Sequence, residues 1–186
     1  MKNTYLTKGE VTEIYITRQS GERFISFIST VDIARVVECA RSWYVNEQSG
    51  PDGLYRVEGR VNTPEGVKRT SLHRFILEAP EDLEVDHIDN NPLNNTRSNL
   101  RLATPHQNQQ NRTGAMRNSK SGIRGVYWNT NENKWKAQIA FFGKQKCIGY
   151  FTTVEAAEEA VKAARAKYYE FSKEGMAVTA ALKEAA

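Results

Sequence analysis

The chain has 186 residues, with 26 lysines and arginines against 22 acids, a net charge of +4, a pI near 9.0 and a mean hydropathy of −0.63. That length allows one ordinary domain or two to three small ones, and a 39% hydrophobic content with 10% aromatics excludes wholesale disorder. No run approaches transmembrane length, Met1-Lys2-Asn3-Thr4 leads into no apolar signal core, and two distant cysteines, Cys39 and Cys147, fit a reducing cytosol.

Residues 1–66 predict a β-rich segment. Val11-Thr12-Glu13-Ile14-Tyr15-Ile16 and Arg23-Phe24-Ile25-Ser26-Phe27-Ile28 read as paired strands, and Thr30 as the cap of a helix over 31–42. Trp43 to Val61 reads as further strand broken by a Gly50-Pro51-Asp52-Gly53 turn. Residues 71–79 predict a short helix carrying His73, which is read as a packing or loop-anchoring histidine.

Two short strands are expected at 84–88 and 99–103, separated by a loop rich in asparagine. Thr104-Pro105 reads as an N-cap followed by proline at the first helical position, so a helix starts at 105 with Asn108 in its first turn. Strand, loop, strand and helix gather Asp86, His87, Asn99 and Asn108. Asp86 brings an anionic oxygen and Asn108 an amide oxygen, donors that suit Mg²⁺ or Mn²⁺ better than zinc. His87 can take a proton from water near neutral pH. Asn99 has both a donor and an acceptor with which to orient the loop or the imidazole. The set is equipped to hydrolyse a phosphodiester. An Asp-His pair alone is more often a surface pair, and a regular strand would point Asp86 and His87 to opposite faces. Both serve one site only if the strand bulges or ends there.

The stretch from Val85-Asp86-His87-Ile88-Asp89-Asn90 through Asn99-Leu100-Arg101 to Asn108, with Leu72-His73-Arg74 ahead of it, resembles the HNH nuclease motif. The variant is the one ending in Asn, as in phage homing endonucleases. The resemblance covers 67–115. It implies a ββα-metal fold with His87 as general base, Asp86 and Asn108 as ligands of one divalent ion, and Asn99 as structural anchor.

Charge is placed unevenly. From Arg97 to Tyr150 stand ten basic residues and one acid, Glu132, a net +9 that leaves −5 for the rest. That block is the footprint of a polyanionic partner. Within it, 116–121 reads as a linker. After that, 122–172 predicts three antiparallel strands and an Ala-rich helix capped by Thr152 and Glu155. Alternation offers Arg124, Lys134, Lys136, Gln138, Lys144 and Lys146 for the sheet's free face, with Trp128 or Trp135 interleaved and at least one tryptophan in the core. Gly125-Val126, Lys134-Trp135-x-Ala137-x-Ile139, Ile148-Gly149-x-Phe151 and Glu155-Ala156-Ala157 resemble the APETALA2-type DNA-binding domain. The resemblance implies that the sheet enters a groove through Arg124, Trp128, Lys134, Trp135, Lys136 and Gln138. Tyr127 and Trp128 stand where plant members carry arginines, which favours phosphate and stacking contacts over guanine readout. Residues 173–186 are expected as a tail.

The expectation is therefore an α+β chain: a β-rich segment (1–66), a ββα-metal nuclease (67–115), a linker (116–121), a three-stranded sheet plus helix (122–172) and a tail. The function expected is a monomeric, strand-nicking, homing-type DNA endonuclease using Mg²⁺ or Mn²⁺, bound to double-stranded DNA and to no membrane, in the cytoplasm of a phage-infected host. A non-catalytic DNA-binding regulator on the same scaffold is the runner-up, and an RNA-directed nuclease stands third.

Overall fold

Alternation builds the first hairpin. After the edge strand β1 (Tyr5–Lys8), Ile14 and Ile16 of β2 (Val11–Thr17) point to the same side as Ile28 of β3 (Arg23–Ser29), and all three are buried. The computed structural model describes residues 1–47, 55–112, 114–116 and 118–184, so the Gly50-Pro51-Asp52-Gly53 turn lies outside the described residues, as do Arg117 of the expected linker and 185–186 of the tail. The helix expected over 31–42 is shorter. A 3₁₀ turn, Thr30–Asp32, leads into α1 (Ile33–Cys39), and at Ala40 the backbone is already extended. Burial decides this: Ala40, Trp43 and Val45 turn inward as part of β4 (Ala40–Glu47), which overrides helical propensity.

β4 pairs with β5 (Tyr55–Thr63), and β5 with β6 (Gly66–Ser71), all antiparallel. Trp43 is the largest side chain of this core, 1% exposed, with its indole N–H given to the Val36 carbonyl. Gly59 lies opposite it in register, and a Cβ there would stand 2.7 Å from the indole ring. Helix α2 (Leu72–Leu77) follows, then β7 (Glu84–His87), the two-residue β8 (Asn94–Asn95), a 3₁₀ turn over Arg97–Asn99, and β9 (Leu100–Ala103). β7 and β9 form an antiparallel ribbon in which Asp86 faces Arg101 and His87 faces Leu100. β8 pairs in parallel with β3, so the asparagine-rich loop joins the sheet β1-β2-β3-β8.

The chain divides into two compact units, Met1–Thr104 and Pro105–Ala186. The second opens with α3 (Pro105–Asn111) and then forms the antiparallel sheet β10 (Val126–Asn129), β11 (Lys134–Phe141), β12 (Lys144–Phe151). Helix α4 (Val154–Tyr168) packs Ala157, Val161 and Ala164 on the sheet through Val126, Ala137 and Ile139. Its cap is Thr153, one residue later than expected: the Thr153 hydroxyl accepts from the Ala156 N–H at 3.2 Å. Gly125, at φ 88°, lies so close to the sheet that a Cβ would stand 2.5 Å from the Gln138 carbonyl oxygen. The expected tail is instead a helix, α5 (Lys173–Glu184), whose Gly175 sits against the Tyr169 carbonyl.

Candidate active site

β7 stops at His87. The chain then turns, with the Asn90 N–H bonded to the His87 carbonyl and Asn90 itself left-handed at φ 60°. The strand ends there, although His87 still pairs with Leu100; across the ribbon Asp86 meets Arg101, while His87 meets Asn95. The loop beyond is held by its own side chains. Asp89 accepts from the Asn91 N–H (2.8 Å) and the Asn94 amide (2.7 Å), and Asn91 accepts from the Leu93 N–H (3.1 Å). These Asx-type turns are why asparagine recurs here. Asn99, buried on the 3₁₀ turn, accepts from the Asp89 N–H at 3.0 Å and donates to the Asp89 carboxylate and the Asn94 carbonyl, both at 2.8 Å. Arg97 fixes the same turn by a two-pronged pair with buried Asp32, at 2.8 and 2.7 Å.

His87 is held by Asn95. Its Nε2 lies 3.2 Å from the Asn95 Oδ1. The Asn95 amide nitrogen is 3.3 Å from the Pro92 carbonyl, which can only accept, so Oδ1 must be the end that faces the imidazole. His87 Nε2 therefore carries the hydrogen, and Nδ1 keeps the lone pair. The same amide nitrogen bonds the Ser26 hydroxyl at 3.0 Å, and that hydroxyl donates to the Leu93 carbonyl at 3.1 Å. Asn95 is fully buried, and sequence reasoning assigned neither it nor Ser26 to the site. The missing signal was the parallel β3–β8 pairing, which no local pattern announces.

His73 sits edge-on to the His87 ring, centroids 5.1 Å apart, with its Nε2 3.0 Å from the Ser71 hydroxyl. Burial, seconded by the His87 charge, pushes its pKa down to about 3, so it stays neutral. Burial also holds His87 below the ordinary imidazole value, although Asn95, Asp89 and Asp86 pull the other way. Asp86 is 5% exposed and paired across the ribbon with Arg101 at 2.6 Å. Asp86, His87 and Asn99 thus lie in the first unit, while Asn108 lies on α3, in the second. Among the described residues no three His, Cys, Asp or Glu side chains gather as metal ligands. A carboxylate with amide oxygens is a donor set for a hard, oxygen-seeking ion and matches Mg²⁺ or Mn²⁺ in chemistry.

On the second unit the register sorts the expected DNA-facing residues. Tyr127, Lys136 and Tyr150 pair across the three strands on the face away from α4, and Lys134 and Gln138 share Lys136's side of β11. Trp128 and Trp135 lie instead on the helix-side row, ring to ring at 5.1 Å, with Trp135 packed on the core and Trp128 at the rim, 37% exposed. Lys144 and Lys146 pair with Phe141 and Ile139 and so point to that side too, and Lys146 reaches the Tyr168 hydroxyl at 3.0 Å. A register shift near Gln138, with Ile148 left without a partner on β12, changes the parity that simple alternation assumes. Arg124 donates to the carbonyls of Gln109, Gln110 and Arg112, and so ties the start of the sheet to α3.

Residues 73–110 match the family model described as HNH endonuclease. A protein of Acanthamoeba polyphaga mimivirus named as an uncharacterized HNH endonuclease is 41% identical over 97 residues, 49% of this chain and 49% of that protein. Protein 3.8 of Escherichia phage T7 is 39% identical over 66 residues, 36% of this chain and 54% of that protein. The chain spans about half the length of these curated relatives. No solved structure matches. The stretch 73–110 is thus similar to the HNH endonuclease domain, and the chain is similar over part of its length to these two viral proteins. No helix among the described residues is long and apolar enough to cross a membrane.

Proposed function

We propose that this protein is a DNA endonuclease that hydrolyses phosphodiester bonds with one divalent ion, Mg²⁺ or Mn²⁺, in a ββα-metal arrangement, and that it works as a monomer of the homing type in the cytoplasm of a phage-infected host. The observation that carries the reading is the His87 imidazole, kept neutral by burial and oriented by Asn95 so that Nδ1 has the lone pair of a general base. His87 takes a proton from water as the water oxygen bonds to phosphorus, and the P–O ester bond on the opposite side breaks. The leaving oxygen takes a proton from solvent, while the imidazolium later returns its own to solvent. Asp86 and Asn108 would hold the ion, which when bound neutralises charge on the phosphate and the leaving oxygen. Asn99 keeps the loop in place. One His87 and one carboxylate serve one strand at a time, so the product is a nick. The second unit, read as an APETALA2-type module, holds the duplex through Lys134, Lys136, Gln138 and the flanking tyrosines, and Lys144, Lys146 and Trp128 stand at its rim.

A second reading, a DNA-binding regulator without catalysis, is favoured by the Asp86–Arg101 pair, which already neutralises the one buried carboxylate beside His87. Supercoiled plasmid incubated with Mg²⁺, with and without chelator, separates the two. Open circles that appear before any linear product, and only with the ion, support the nuclease. Intact plasmid with DNA bound supports the regulator, and an equal preference for single-stranded RNA would move the substrate class.

A further inference from the structure

The tip of the β11–β12 hairpin breaks a local rule. Phe141 pairs with Lys144, so Phe142 and Gly143 are the whole turn, and both have positive φ, 46° and 74°. Two-residue turns of this kind favour Asn-Gly, since the first position must also be left-handed. A bulky side chain there is an outlier that points to a use. Phe142 is 73% exposed, the most exposed aromatic side chain among the described residues. Solvation would predict a polar residue at such a place.

Its ring is nevertheless fixed. It stacks almost parallel on His106, centroids 5.2 Å apart and planes 15° from each other, and meets the half-buried Phe141 edge-on at 4.6 Å. Phe141 in turn packs on Tyr168 of α4. The tip is therefore a supported aromatic plate, ordered in advance and open on one side. From Asn133 to Phe151 the chain carries Lys134, Lys136, Lys144 and Lys146 and no acid, a charge that suits a phosphate backbone.

We propose that Phe142 is a stacking wedge that packs against a nucleobase of bound DNA, with His106 as the plate behind it. This rests on the reading of the second unit as a DNA-holding module. Base–aromatic stacking tolerates any sequence and adds affinity without hydrogen-bond readout, and apolar wedges of this kind partly unstack a base step.

Phe142→Asn is the test, because strain and function then pull apart. In the full chain the variant should melt a few degrees higher, since Asn accepts the left-handed turn position. It should bind a mixed-sequence 20-base-pair duplex roughly 5- to 100-fold more weakly. With 2-aminopurine in the duplex, the wild type and Phe142→Trp should raise its fluorescence on binding, and Phe142→Asn should not. A Phe142→Asn variant that binds as tightly, with the same fluorescence change, overturns the proposal. So does sedimentation showing that Phe142→Asn only dissociates a wild-type dimer while affinity is unchanged, because the partner of the ring would then be a second copy. A wild type that binds no duplex sinks the DNA-holding reading itself, which is a different failure.

Discussion

Replacing Asn95 by leucine keeps the volume and removes three hydrogen bonds: the one from His87 Nε2–H at 3.2 Å and those the amide gives to Ser26 (3.0 Å) and Pro92 (3.3 Å). Ser26 keeps its bond to the Leu93 carbonyl, so the groups left short are the Pro92 carbonyl and the His87 N–H. Each such loss at a buried site costs about 1–3 kcal/mol, partly offset by the apolar side chain, so the net loss of stability is roughly 2–4 kcal/mol, within reach of an ordinary domain's reserve. The catalytic cost has a different origin. As His87 takes a proton at Nδ1 it becomes an imidazolium, and its bond to the Asn95 Oδ1 becomes charge-assisted, worth about 1.5–3 kcal/mol. Asn95→Leu should therefore lower kcat by roughly 10- to 150-fold and leave KM within about twofold. Ser26→Ala, which removes only the support behind the amide, should cost a smaller factor. The assay is single-turnover nicking of plasmid, beside the ¹⁵N resonances of His87, which report which ring nitrogen carries the hydrogen. An unchanged kcat in a folded Asn95→Leu variant, or a loss lying wholly in KM, would refute the argument.

His87→Ala should abolish cleavage and leave duplex affinity nearly intact in a gel-shift titration; a parallel loss of binding would make His87 structural. Lys136→Ala should reduce the log–log salt slope of duplex binding by roughly 0.9, and an unchanged slope would mean that this face never meets the backbone. His73 gives a pH dependence. Folded, it protonates only near 3, whereas an unfolded chain takes up that proton near 6.5, so stability is complete above about 6.5 and falls as pH drops toward 3. The loss approaches about 1.4 kcal/mol per pH unit, or about 2 kcal/mol at pH 5, and His87 adds in the same direction. Urea melts at pH 7 and pH 5 measure it, and a His73→Asn variant with the same pH slope as the wild type would show that the proton goes elsewhere.

The sheet hairpins, the short helix after Ser71 and the helix after Thr104 were legible because periodicity, caps and turn residues are local signals. The candidate residues were legible as types at fixed spacing. What escaped was long-range. Nothing near Asn95 says that Ser26 waits for its amide, and nothing near Arg97 names Asp32 as its partner. On the second sheet, alternation failed at one irregular step, which moved Lys144 and Lys146 off the expected face. Alternation and the APETALA2 resemblance offer Arg124 for the DNA-facing side, but its guanidinium bonds three backbone carbonyls, those of Gln109, Gln110 and Arg112. The last helix was missed because Lys173-Glu174-Gly175 has a glycine where a helix would resist one; there the space beside Tyr169 admits nothing larger.

The parallel pairing of β3 with β8 bears on the order of events as the protein is made. The bond between Asn95 and Ser26 closes a span of 69 residues, and contacts of such separation form late because the chain must first give up the freedom of everything between them. Synthesis runs from the N-terminus, so the sheet that will receive the loop emerges first and stands ready before Asn95 leaves the ribosome. Until the two meet, the Asn95 amide that faces His87 Nε2 lacks its bond to Ser26. Within the proposed function, the closure of β8 onto β3 is thus a late step in assembling the surroundings of His87, and a nascent chain cut short before β8 would carry the receiving sheet without Asn95.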